Sequence, residues 1–122
     1  MRGAPAAHAG GGLRKLEELK LHGNQMGDGA AAALAALLEE GAMPNLKTLF
    51  LYNNRIGDDG VAALASALRG GALPACTRID LRGNPGADED EDGDWTCPQV
   101  DEALASPERA AALARRRDEP SA

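Results

Sequence analysis

The sequence predicts an α/β fold: a short solenoid with parallel strands on its concave face, helices on its convex face and a helical cap at the C-terminal end. Three observations predict it. A pattern of apolar and turn residues recurs every 30 residues. Each unit opens with an alternating Leu-x-Leu segment, as in a strand with one buried face. An Ala/Leu run with helical spacing follows each strand segment.

The repeat is explicit in the residues. Leu16-x-x-Leu19-x-Leu21-x-x-Asn24-x-Met26-Gly27-Asp28 returns as Leu46-x-x-Leu49-x-Leu51-x-x-Asn54-x-Ile56-Gly57-Asp58, and a third copy starts as Cys76-x-x-Ile79-x-Leu81-x-x-Asn84. The second halves align as well, with Leu34 on Leu64, Leu38 on Leu68, Gly41 on Gly71 and Pro44 on Pro74. Each Asn stands at the turn, where a buried amide can satisfy the backbone groups of neighbouring turns. Asp28 and Asp58 precede the Ala/Leu runs and are expected to cap exposed amides. Leu34, Leu37 and Leu38 form the predicted buried face of the first helix, and Val61, Leu64, Ala65 and Leu68 that of the second. Gly41 and Gly70-Gly71 are expected to stop the helices, and Pro44 and Pro74 to keep the chain extended before the next strand.

This pattern resembles the leucine-rich repeat, specifically its ribonuclease-inhibitor-like subclass, over about residues 13–86. The resemblance implies a protein-binding horseshoe of the kind found in inhibitor, receptor and GTPase-activator domains. It implies nothing about the identity of the partner, because a fold alone does not fix function.

The expected organisation follows. Residues 1–12 are a flexible Ala/Gly-rich start, 13–86 two full repeats and one partial, 87–95 an acidic loop, 96–117 a helical cap and 118–122 a tail. In the third copy Cys76 replaces a core Leu and is expected to be buried, while Pro85-Gly86 replace Arg55-Ile56. Aligning Val100 with Val61 implies an insertion of 9 residues against the 30-residue period. Thr96-x-x-Gln99 reads as a capping box, with Pro98 in the first turn. Ser106-Pro107-Glu108 then opens a last helix, with Ala110, Leu113 and Ala114 as its apolar face and Arg115, Arg116 and Arg117 at its C-terminal end. The Gly-rich start would cover nothing, so the first repeat is expected to expose an apolar edge. Marginal stability, self-association through that repeat, and membership of a larger leucine-rich-repeat receptor or GTPase regulator are the three readings this leaves.

Charge and composition remove several function classes. The net charge is −6, and residues 88–94 hold six of the 19 acids and no base. The remaining 13 acids balance 13 bases, which argues against nucleic acid as a partner. No apolar run approaches the ~20 residues of a membrane helix, and no secretory signal opens the chain, so no membrane partner and a cytoplasmic setting are expected. Cys76 and Cys97 match neither a metal spacing nor a disulfide framework.

The outward strand positions should stack in rows: Glu18, Thr48, Arg78; Lys20, Phe50, Asp80; His22, Tyr52, Arg82. Phe50, Tyr52, Arg78 and Arg82 are therefore the expected partner-binding residues, with Glu18, Lys20, His22 and Asp80 setting charge specificity. The competing expectation is that Phe50 and Tyr52 simply pair across strands, with Arg82 over the Tyr52 ring. An enzyme is not expected, nor a cofactor. His8, His22, Ser66 and Ser106 form no nucleophilic constellation, Gly10-Gly11-Gly12 lacks a phosphate-loop signature, and Cys97 at a helix start is at most a reactive thiol. The alternative reading is a calcium-responsive element, since Asp88-x-Asp90-x-Asp92-Gly93 spaces carboxylates as a calcium loop does. Gln99 replaces the bidentate Glu of such a loop and Pro98 precedes it, so a solvated charged loop is the expectation.

Overall fold

A computed structural model describes residues 14–118. The start 1–12, with His8, and the last residues 119–122 of the tail lie outside it. The element order is β1 (Glu18–Lys20), α1 (Asp28–Glu39), β2 (Thr48–Phe50), α2 (Asp58–Arg69), β3 (Arg78–Asp80), β4 (Asp88–Glu89), β5 (Trp95–Thr96), α3 (Pro98–Leu104) and α4 (Pro107–Asp118). It is an α/β repeat fold. The strands β1-β2-β3 form an open parallel sheet, each paired with the next in the register of the sequence period: Glu18↔Thr48↔Arg78, Leu19↔Leu49↔Ile79, Lys20↔Phe50↔Asp80. Leu49 and Leu51 enter the core completely, against Val61, Leu64 and Leu68 of α2.

The turn asparagines act as the spacing suggests. Asn54 donates its amide to Leu21 O (3.0 Å) and Leu51 O (2.9 Å), while its Oδ1 accepts from Asn24 N (2.9 Å) and Met26 N (3.0 Å). Asn84 repeats the pattern one unit on, bonding Leu51 O (2.8 Å), Leu81 O (3.0 Å) and Ile56 N (3.0 Å). One side chain thus closes two turns that no ladder could satisfy.

Asp28 does cap a helix, but not its own. Gly27 and Gly57 occupy the N-cap positions of α1 and α2. Asp28 Oδ1 instead accepts from Gly57 N (2.6 Å) and Gly60 N (3.0 Å), so the first repeat caps the helix of the second. Asp58 is exposed at the start of α2, and at the repeat position 88 a short strand stands where a third helix would begin.

Two helical faces differ from expectation. In α1, Ala31, Ala35 and Leu38 face α2 and are buried; Leu34 is half-buried and Leu37 is 45% exposed, because nothing among the described residues packs outside α1. Of the α4 residues whose burial is described, Arg109 and Ala112 are buried, whereas Ala110 is exposed and Leu113 and Ala114 are half-buried. The cause is Arg109, whose guanidinium donates to Leu68 O (3.1 Å), Ala72 O (2.7 Å) and Leu73 O (2.7 Å). These are carbonyls at and beyond the C-terminal end of α2, where a cation is favoured, and satisfying them turns α4 onto that side.

The third unit leaves the pattern at Pro85, which has no N–H to give. Gly86 N bonds Ile56 O (2.8 Å) instead, and a Cβ there would meet Val61 Cγ2 at 2.6 Å and Gly57 O at 2.8 Å. Only glycine lets the chain come this close to α2. Residues 88–96 then form an antiparallel hairpin rather than a loop, with Asp88↔Thr96 and Glu89↔Trp95 paired. After it, α3 packs on α2 with Val100 and Ala103 buried. The capping box does not form: Thr96 lies in β5, Cys97 is the N-cap without a side-chain cap bond, and Pro98 takes the first helical position. Ser106 does open α4, its Oγ accepting from Arg109 N at 3.1 Å.

Candidate functional site: the exposed strand face

The sheet brings most of the predicted site residues together on one face. The 30-residue register sets His22, Tyr52 and Arg82 side by side at the ends of the three strands. His22 stacks on Tyr52 with ring centroids 4.4 Å apart and planes 3° from parallel. The Arg82 guanidinium carbon lies 5.2 Å from the Tyr52 centroid, a cation–π geometry. Phe50 meets Tyr52 edge-on at 6.2 Å and 87°. These two rings are neighbours along one strand segment and do not pair across strands; the cross-strand partners of Tyr52 are His22 and Arg82.

Asp80 departs from its expected role. It is 4% exposed, and its carboxylate is covered by the two arginines it holds. Oδ2 takes Arg82 Nη2 at 2.9 Å and Arg78 Nη2 at 3.3 Å, and Oδ1 takes Arg82 Nε at 3.0 Å and Arg82 N at 3.2 Å. The arginine side chains keep 62% and 55% of their surface exposed against 2% for the Asp80 side chain. One hidden acid thus offsets part of the charge of two presented cations and fixes both guanidinium groups in place. Glu18, Lys20 and His22 are exposed around it, as expected.

Trp95 joins this face, which the one-dimensional pattern did not indicate. The β4–β5 hairpin folds back so that Tyr52, Asn53, Arg82, Asp94 and Trp95 line one open cleft. A smaller hollow of about 200 Å³ lies along β3, with Ile79, Leu81, Trp95 and Leu104 among its lining residues. Gly83 shapes the cleft floor: at φ +75° a Cβ would meet Asn53 Oδ1 at 2.2 Å.

The other candidates resolve differently. Asp90 accepts from Asp92 N and Asp94 N, both at 2.9 Å, so its carboxylate closes the hairpin turn. Asp88 sits in β4, and among the described residues no three His, Cys, Asp or Glu side chains are placed to hold a metal ion. Cys97 is buried, and burial pushes its thiol above the ordinary cysteine range, with Asp101, Asp88 and Asp58 adding to that effect. This is the reverse of the activated thiol that its position at a helix start suggests. Cys76 is buried as expected, and its thiol is raised for the same first reason.

Residues 12–35 and 42–65 each match the family model described as Leucine Rich repeat. These two stretches are similar to leucine-rich repeats. The matches lie one period apart and cover a strand and most of a helix each. No curated protein and no solved structure matches the chain. Leucine-rich repeats generally mediate protein–protein interaction and are generally non-catalytic. No described helix is long and apolar enough to cross a membrane.

Proposed function

We propose that the chain is a non-catalytic interaction module, a short solenoid of ribonuclease-inhibitor-like leucine-rich repeats at 13–86 capped by 96–117, which binds a protein partner in the cytoplasm through its exposed strand face. The observation that carries this reading is the row His22–Tyr52–Arg82 with Phe50 edge-on to it. Aromatic and guanidinium groups supply the largest contact energy per residue at interfaces. Here they stand on a rigid sheet and brace one another, so docking costs them little conformational entropy. Arg78 and Arg82, held by Asp80, select a partner patch with acidic groups around an apolar centre.

The test is paired. Phe50→Ala with Tyr52→Ala should lower the affinity for a partner at least 100-fold, on the order of 3 kcal/mol. Glu39→Lys, on the exposed side of α1, should leave it unchanged. Circular dichroism checks that both variants keep their helices. A partner held equally well by the double variant would remove the strand face from the interaction.

A further inference from the structure

We propose that the edge of β1 that has no neighbour among the described residues pairs with β1 of a second copy, antiparallel and related by a two-fold axis at Leu19. β1 is an edge strand of the sheet. Its bonds to the second strand segment run through odd-numbered residues, with Leu21 N to Phe50 O at 2.8 Å and Glu17 O accepting from Lys47 N at 2.8 Å. The N–H and C=O groups of Glu18 and Lys20 therefore point away from the sheet. Such an edge is a template for another strand.

The sequence of this edge is self-complementary in one register. With Leu19 on the axis, Glu18 stands opposite Lys20 of the partner subunit, and Lys20 opposite the partner subunit's Glu18. Both are hydrogen-bonded pairs, so each exchanges two main-chain bonds, and both bring opposite charges together on the exposed strand face. A two-residue slip either way sets Lys20 against the partner's Lys20 or Glu18 against the partner's Glu18. On the core side, Leu16, Leu19, Leu21, Met26 and Leu34 are half-buried and Leu37 is 45% exposed. A second copy covers these residues from the side on which the first repeat has no neighbour among the described residues. The two-fold axis makes the contact closed, so it stops at a dimer. Phe50 and Tyr52 stay outside the pairing, and the inference does not rest on their role.

Sedimentation velocity of the 122-residue chain should give twice the 12.6 kDa chain mass, falling to the monomer on dilution. Glu18→Lys alone or Lys20→Glu alone sets like charges opposite each other in both pairs, and each should weaken the dimer at least about 10-fold. Mixing the two single variants restores opposite charges, so a heterodimer should form, and the double exchange Glu18→Lys with Lys20→Glu should recover the homodimer. Amide exchange at Glu18 and Lys20 should slow as protein concentration rises. A monomer at every concentration, or single variants that dimerise like the parent chain, would overturn the proposal. So would concentration-independent protection of those two amides in a monomer, which would assign the edge to the chain's own first residues.

Discussion

The first and second repeats carry the same formula and receive different environments. Leu46, Leu49, Leu51, Ile56 and Leu64 are fully buried, whereas their counterparts Leu16, Leu19, Leu21, Met26 and Leu34 are half-exposed. The contrast is sharpest late in the helices, where Ala67 is 1% exposed and the matching Leu37 is 45% exposed. Both repeats form their strand, turn and helix regardless. Local structure therefore follows from the unit's own sequence, while burial depends on having a neighbour on each side. Energetics should follow burial, and three pairs of substitutions test that.

The largest difference should come from the central strand leucines. Leu49→Ala should cost about 3 kcal/mol, because the site is closed on all sides and a cavity remains. Leu19→Ala should cost about 1 kcal/mol, since part of that side chain already faces water. Urea unfolding at low protein concentration measures both. Equal losses would break the comparison. At concentrations where β1 pairs with a second copy, the cost of Leu19→Ala should rise toward that of Leu49→Ala.

The turn amides come next. Asn54 bridges both repeats, donating to Leu21 O and Leu51 O and accepting from Asn24 N and Met26 N. Asn54→Ala strands buried donors and acceptors together, which should cost about 2 kcal/mol. Asn24 is exposed and bonds Leu21 O at 3.0 Å within its own turn. Asn24→Ala should cost a few tenths of a kcal/mol, roughly the value of a water-exchangeable bond. The same unfolding experiment gives both values, and a large loss at Asn24 would show that the first turn has a partner outside the described residues.

This gradient also explains what could be read from the sequence. Strand register, the Asn turns and the buried face of α2 were legible because the period fixes which residues become neighbours. Asp28 reads in sequence as a cap on its own helix; spacing along one chain shows the acid beside α1, while only stacking brings it to Gly57 and Gly60. The hairpin at 88–96 reads in sequence as a solvated loop, since six acids mask the pairing of Glu89 with Trp95. Nothing in the spacing then brings Trp95 to the strand face. Asp80 looked like an exposed charge because alternation places it outward, and the sequence does not show two arginines folding over it. Arg109 was the least legible: an arginine in an Ala-rich helix reads as solvated, yet it is 4% exposed on carbonyls of residues 68, 72 and 73.

The smallest effects should differ in sign. Gly29 and Gly60 both lie in the first turn of a helix, α1 and α2 respectively. A Cβ on Gly29 meets nothing within 4 Å and would stand in open space. Gly29→Ala should therefore stabilise by about 0.5 kcal/mol through helix propensity and a less flexible unfolded chain. A Cβ on Gly60 would lie 2.7 Å from Ile56 Cγ2, 2.8 Å from Asp28 Oδ1 and 3.0 Å from Ala31 Cβ. Gly60→Ala should therefore destabilise by about 1 kcal/mol, since it pushes α1 away and strains the bond from Gly60 N to Asp28. Thermal midpoints should move in opposite directions for the two variants. A neutral Gly60→Ala would mean that α1 yields to α2 without loss, and the first repeat would then be a loosely attached edge, not a fixed platform for Lys20 and His22.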